Sequence, residues 1–435
     1  MNILDLPPDI DPDSILDDVD YEKAVEEDNT QTLYLMGKKE FNKLDKPLSQ
    51  QLTEIFEILM PGNGEIATIF WASAVATVQG NPNMGIIKGN QGEGKTVLMD
   101  YIITFIPERY VERINDATEA ALFDNTKPMN YLDKKIVYLG DLGDKRGFEK
   151  TLSARKVLRT LQTDGHYSRK IKEKQKDEHG VQNWTTIYEE LIGKPAMYFT
   201  TVREDADMQD QDRAIIATTN LEKADEIKYI IQHIGKNSKT GKKIKETIEI
   251  WKPKLQAIFE YLVSQQLEAV IPYNLQDMNY KFRDLNRLVT LSEMMAIINQ
   301  KFRKRYDDFI LVEKEDIELI AKFLNEGTGQ LSQVVLKRLT ELYDKYTDKR
   351  SFTRDDVVSL FPDTYSSLPG GTSNAYRDIL KPAIDVKLIT EDKSQRPYIY
   401  IFFGGFKEKI NEKQFNLDLP EIDAYMLQKE YDIIL

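Results

Sequence analysis

Gly89-Asn90-Gln91-Gly92-Glu93-Gly94-Lys95-Thr96 reads G-x-x-x-x-G-K-T, and this stretch decides the fold. Its glycines let backbone N–H groups turn inward around a chain of phosphates, and a helix beginning at Lys95 adds positive potential from its N-terminus. In that arrangement the Lys95 ammonium reaches the β- and γ-phosphates and the Thr96 hydroxyl reaches a Mg2+ ion. The flanks supply the required context. Met84 to Ile87 is a short apolar strand candidate, and Val97, Leu98, Tyr101, Ile102 and Phe105 recur at helical spacing until Pro107. Strand, loop and helix imply ATP and Mg2+ as the cofactors of residues Gly89 to Thr96.

Such a site needs an acid at the end of a neighbouring strand to hold the metal and orient the attacking water. The apolar run Ile136 to Leu139 is followed by Gly140 and Asp141, with Asp144 close behind. Asp141 is therefore the second metal-binding and catalytic candidate, although Gly and Asp also favour a plain turn here. Ala196 to Phe199 and Ala214 to Ala217 are two further short strands, making four. Helices over Asp116 to Phe123 and Leu152 to Leu161 alternate with them. The expectation is an α/β fold, a mainly parallel sheet covered by helices.

Working outward, Leu48 to Leu59 and Ile66 to Val78 form a helical lead-in around the turn Pro61 to Gly64. The core with this lead-in spans 46–220, and an acidic segment, 1–45, precedes it as a mobile or interacting tail. From 221 to 325 the pattern turns helical, clearest over Leu255 to Leu267 and Asp284 to Phe302, and reads as a lid. The run Gly235 to Lys245, basic but rich in Gly, Asn and Ser, reads as a solvated loop. Residues 330–406 place helices Leu331 to Tyr346, Thr353 to Phe361 and Ser373 to Val386 before a strand at Tyr398 to Phe403. Helices followed by a short hairpin suggest a winged helix, with Pro382 interrupting its third helix and a tail, 407–435, after it. Arg350, Arg354, Arg377, Lys381, Lys387, Lys393 and Arg396 give this module a basic side that serves either duplex DNA or protein contacts.

Between Arg169 and Lys176 the residues Lys170, Lys172, Lys174 and Lys176 recur at period 2, so one face of a strand is wholly cationic. Asp177 to Gly180 makes a turn and Asn183 to Tyr188 returns, giving a hairpin over 168–190 with Trp184 near its base. Such a face is either an edge guarded by lysines or a site for a phosphate backbone.

Composition narrows the chemistry. The 435 residues, 41% of them apolar, suffice for two or three domains with a real core. Without Cys and with three His, thiolate and Cys-zinc chemistry are excluded. A net charge of −13 makes any DNA site local. The longest apolar stretch, Ile66 to Val78, is too short for a bilayer, so no membrane segment is expected, and the acidic N-terminus does not read as a secretory signal. The cytoplasm is the expected location.

On these residues the chain resembles AAA+ ATPases, in particular the MCM-like replicative helicases of mobile elements such as staphylococcal cassettes and pathogenicity islands. The likeness runs from about Ile86 to Arg305. It rests on Gly89 to Thr96, the strand ending Gly140-Asp141, the helix Ser153 to Leu161 leading into the basic hairpin, Ala196 to Thr201, and Asp210-Gln211-Asp212-Arg213. The resemblance implies an AAA+ core with helical lid and a C-terminal winged helix, assembled as a homo-hexamer. Lys170, Lys172, Lys174 and Lys176 would grip a single DNA strand in the central pore. Thr200 or Thr201 would sense the γ-phosphate, with Thr201 taken as the catalytic one. Arg213 would be an arginine finger for a neighbour's ATP, and Arg283 the nucleotide-sensing arginine of the lid. The family's Asp-Glu pair stands here as Gly140-Asp141, so either Asp141 does both jobs or Asp144 contributes. The implied function is an ATP-driven DNA helicase with possible replication partners; a nucleotide-switched initiator or loader shares the same fold.

Overall fold

The computed structural model describes residues 30–89, 92–114, 118–124, 126–142, 145–176, 182–202, 210, 214–219, 238–265, 267–273, 275, 282–306, 309–327, 333–346, 351–365, 371–385, 388–394, 396–402 and 406. They fall into two compact units, the first taking in residues up to Pro272 and those of Lys281–Ile317, the second those of Tyr273–Tyr280 and Glu318–Pro420.

The first unit opens with helices α1 (Thr30–Lys43), α2 (Leu48–Leu59) and α3 (Gly64–Val78). α2 buries one stripe, Leu48, Leu52, Ile55, Phe56 and Leu59. α3 is buried along its whole length from Ala67 to Val78, as a helix apolar on all sides must be. The Glu57 carboxylate accepts from the Gly62 and Gly64 amides at 2.7 and 2.9 Å. It thereby closes the turn between the helices and satisfies an amide that α3 leaves orphaned.

There follow β1 (Met84–Lys88), α4 (Lys95–Thr104), β2 (Val111–Arg113), α5 (Glu119–Leu122), β3 (Ile136–Asp141), α6 (Lys145–Lys150), α7 (Leu152–Asp164), β4 (His166–Lys176), β5 (Gln182–Ile192), β6 (Ala196–Thr201) and β7 (Ala214–Thr218). Five of these strands form one sheet in the order β2-β3-β6-β1-β7, and every neighbouring pair is parallel. The four expected strands are all present. The fifth, β2, is a short edge strand whose Val-Glu-Arg carries no apolar run, because an edge strand is half exposed. β6 lies between β1 and β3, so the loops leaving these three carboxyl ends open on one crevice, where parallel sheets bind ligands.

Later come α8 (Lys239–Ser264), β8 (Glu268–Val270), α9 (Phe282–Ile298), β9 (Arg305–Tyr306), β10 (Phe309–Leu311) and α10 (Lys314–Gly327). Two expectations change here. Lys239 to Lys245 is not loop but the first two turns of α8: Ser238 caps the helix by accepting from the Gly241 amide at 3.0 Å, and Ile244 is buried. The segment 1–45 is not a tail throughout, since α1 packs along α8. A Cβ added at Gly37 would lie 1.9 Å from the Ala257 carbonyl oxygen, so glycine is what permits this approach, and Tyr34 and Phe41 set their rings 5.6 and 5.4 Å from that of Tyr261. α8 in turn is tied to the core by Gln256, which donates to the Thr104 and Ile106 carbonyls at 3.0 and 3.2 Å. No helix among the described residues is long and apolar enough to cross a membrane.

The second unit has α11 (Gln333–Tyr346), β11 (Ser351–Phe352), α12 (Arg354–Leu360), α13 (Pro362–Tyr365), α14 (Gly371–Ala375), a π turn at Tyr376–Leu380, α15 (Lys381–Asp385), β12 (Ile389–Asp392) and β13 (Ile399–Phe402). Its strands form an antiparallel sheet, β11-β13-β12. The break expected at Pro382 takes the form of the π turn just before it rather than an end, a wider turn that tolerates a missing amide hydrogen bond. Leu339, Leu342, Phe352, Val357, Ile379, Leu388 and Tyr400 make the core.

Candidate nucleotide site and the basic hairpin

Gly92 and Gly94 hold φ of +86° and +79°, left-handed values that a side chain would strain. Gly94 is the N-cap of α4, so the loop delivers Lys95 and Thr96 to the first turn, at the carboxyl end of β1. Lys95 is buried, and its Nζ lies 3.6 Å from Asp141 Oδ2. Thr200 Oγ1 donates to Asp141 Oδ1 at 3.2 Å and sits 3.3 Å from Thr96 Oγ1. A hydroxyl has one proton, so once Thr200 gives its own to Asp141, Thr96 must be the donor to Thr200. The chain Thr96 to Thr200 to Asp141 thus joins the ends of α4, β6 and β3.

Asp141 owes its aim to a bulge. The pairing of β3 with β6 runs in step to Tyr138↔Tyr198 and resumes at Asp141↔Thr200, and Gly140 takes φ +75°. An extra residue of this kind re-aims the side chain that follows it. Gly140, with its left-handed φ, is the residue the bulge requires.

Of the two threonine candidates, the structure brings Thr200 to Thr96 and Asp141. Neighbours on a strand face opposite ways, and the Thr201 hydroxyl donates to the Leu142 carbonyl at 3.3 Å, whereas Thr200 meets Thr96 and Asp141. Asn90, Gln91, Asp144 and Arg213 lie outside the described residues, as does the side chain of Arg283, whose backbone belongs to the first turn of α9. Glu93, inside the loop, is buried and accepts from Thr219 Oγ1 at 3.2 Å. The end of β7 therefore braces the loop, a contact no local spacing announces.

The hairpin is present, and it is longer than expected. β4 and β5 pair antiparallel from His166↔Ile192 to Lys176↔Gln182. Gly165 ends α7 at φ +72°, so that helix runs directly into it. Directly opposed residues share a face, which puts Lys170 beside Tyr188, Lys172 beside Thr186 and Lys174 beside Trp184. Trp184 is therefore near the far end, not the base. Lys170 and Lys172 are exposed, as are Trp184 and Tyr188 at 65% and 61%, and the Lys170 ammonium lies 5.1 Å from the Tyr188 ring centre. The backbone register puts Lys174 and Lys176 in the same row; their side chains lie outside the described residues. The opposite face anchors the base: Leu191 is buried, Arg169 pairs with Glu189 at 2.6 Å, and its guanidinium covers the Phe123 ring at 3.9 Å.

The buried partner of Asp210 went unseen in the sequence. Asp210 is fully buried and pairs with Arg155, also fully buried, and with Arg159 at 3.1 Å. Arg155 sits on the inward face of α7 with Ala154 and Leu158. A cation on a core face demands a carboxylate partner, and that demand was the available signal. In the second unit, Arg354 is engaged internally, donating to Tyr400 Oη at 2.7 Å and lying 4.0 Å over Tyr376. Lys393 is exposed and holds Glu391 at 3.2 Å.

A phosphate-cradling loop between a parallel strand and a helix, with lysine, hydroxyl and carboxylate gathered at one sheet end, defines a P-loop NTPase domain. Residues 37–265 match the family model described as the MTBMA_p00010 P-loop domain, and the chain belongs to that family. The protein MTBMA_p00010 of Methanothermobacter marburgensis, itself uncharacterised, is 23% identical over 238 residues, which is 53% of this chain. The chain spans only 28% of that relative's length. Among solved structures, a full-length MCM homolog from Methanopyrus kandleri aligns over 75% of this chain and 64% of its own, with 10% identity and a TM-score of 0.39. The RuvB Holliday junction branch migration motor of Thermotoga maritima aligns over 81% and 95%, with 9% identity and a TM-score of 0.26. Both scores lie below the range in which whole chains share one fold.

Proposed function

We propose that the chain is an ATP-driven AAA+ translocase that moves along single-stranded DNA and separates duplex, working as a homo-hexamer in the replication of a mobile element. The observation that carries this reading is the union, in one unit, of the Lys95, Asp141 and Thr200 site with a projecting hairpin whose exposed face bears lysines. Helix α7 leads from one region to the other.

Lys95 would leave Asp141 for the β- and γ-phosphates when ATP enters. The oxygen donors Thr96 and Asp141 suit Mg2+, a hard cation bound through few protein ligands and the phosphates. Mg2+ would neutralise charge on the transferring phosphoryl group. Thr200, bonded to Asp141, would hold that carboxylate toward the attacking water. Arg213 would complete the site of the neighbouring subunit, Arg283 would contact nucleotide from the lid, and the second unit would act as a winged helix on DNA.

Strand displacement on forked DNA tests the reading. Replacing Lys95 by Ala should abolish unwinding and lower ATP hydrolysis by at least about a hundredfold, while DNA binding persists. Neutralising Lys170, Lys172, Lys174 and Lys176 together should abolish unwinding as well. Unchanged unwinding in that variant rejects the hairpin as the moving part.

A further inference from the structure

We infer that the exposed face of the β4–β5 hairpin is a base-stacking platform, on which Trp184 and Tyr188 take bases of a single-stranded nucleic acid while Lys170 and Lys172 take its phosphates. The inference rests on the reading of this hairpin as the nucleic-acid element and specifies what it holds. Two large aromatic side chains exposed at 65% and 61% cost solubility and contribute nothing to a core. Both lie on the one face of the hairpin that also carries the lysines.

The register sets the layout. Lys170, Lys172 and Lys174 run along β4, and Tyr188, Thr186 and Trp184 run opposite them along β5. A cationic row and an aromatic row are thus parallel, about 5 Å apart. Trp184 and Tyr188 are four residues apart on one strand, about 13 Å, so they engage separate nucleotides. The Lys170 ammonium now covers the Tyr188 ring from 5.1 Å. Transfer of that ammonium to a phosphate uncovers the ring for a base, so one nucleotide satisfies both groups. In a chain of net charge −13, this local face is complementary to a polyanion, and rings between cations are what single strands bind without sequence preference.

Binding of the full chain to oligo(dT), to oligo(U) and to an abasic oligodeoxynucleotide of equal length, at fixed salt, separates bases from phosphates. The unaltered protein should bind oligo(dT) at least about tenfold more tightly than the abasic strand. Replacing Trp184 and Tyr188 by Ala should erase that preference and leave abasic binding as it was. Replacing Lys170 and Lys172 by Ala should weaken both ligands together. Oligo(dT) should also quench tryptophan emission, and Trp184→Phe should lose the quenching yet keep the preference for bases. Oligo(U) distinguishes RNA from DNA as the strand held. A preference for bases that survives loss of both rings overturns the inference while leaving the lysine hairpin intact as a DNA element. If the lysine variant binds every strand normally, the underlying reading fails with it. Loss of self-association in the Trp184 and Tyr188 variant, with its preference for bases intact, would show that the rings face another copy of the chain and would also overturn it.

Discussion

The hydroxyl of Thr200 stands between Thr96 and Asp141, at 3.3 and 3.2 Å, while that of the next residue, Thr201, donates to the Leu142 carbonyl. Side chains one position apart thus have separable consequences. Thr200→Val keeps the branched shape and removes the proton that orients Asp141. Its kcat for ATP should fall about 10- to 100-fold with KM nearly unchanged, because a positioning contact acts on the reacting geometry more than on binding. Thr201→Val should lose about 1 kcal/mol of stability, the usual worth of one hydrogen bond, with kcat near that of the unaltered protein. Steady-state ATPase assays and thermal melts on both variants check this. Equal activity losses would dissolve the distinction between the two threonines.

At the scale of elements, the buried group of Arg155, Arg159 and Asp210 fastens Asp210, a few residues ahead of β7 in the chain, to α7, the helix that continues into the hairpin. Desolvated charges stabilise little as a pair, but removing one partner strands the other. Asp210→Asn should destabilise the chain by about 3 kcal/mol or more, and Arg155→Met by a similar amount. The double variant should recover part of the loss, a coupling that chemical denaturation of the four proteins measures as a cycle. Additive losses would mean that the two side chains do not act together. This cluster also shows where sequence reading stops. The P-loop, four of the five strands and the hairpin were legible because each is written in local spacing: glycines at fixed intervals, apolar runs, and charges at period 2. β2 was not, since three half-exposed residues carry no pattern. The helical start of α8 was masked by Gly, Asn and Ser, which cap helices as readily as they form loops. The Arg155 to Asp210 and Glu93 to Thr219 contacts join positions 55 and 126 residues apart, and only tertiary structure brings such partners together. Trp184 was misplaced along the hairpin for a similar reason: its partner, Lys174, follows from the register of the turn and not from either strand alone.

At the scale of the whole molecule, the proposed assembly has a consequence for how ATP is hydrolysed. On the proposed function Lys95, Thr96 and Asp141 would meet the phosphates and Mg2+ from within one subunit. A transferring phosphoryl group gains most from a further positive charge supplied in place, often from a neighbouring molecule. On the proposed assembly Arg213 is that charge, so ATP is hydrolysed between subunits. Lys95→Ala removes the lysine of a subunit's own loop and Arg213→Ala removes its contribution to the next, so each variant alone should be inactive at every interface. Mixing the two creates interfaces where an intact loop meets an intact arginine. ATPase activity should then reappear, rising with the proportion of such junctions to a maximum near equal amounts, and size-exclusion chromatography with light scattering should find both variants in one assembly. If mixed assemblies form and stay inactive at every ratio, Arg213 does not act across the interface. Should Arg213→Ala alone retain full activity, the arginine has no part in hydrolysis and the hexamer loses its chemical rationale.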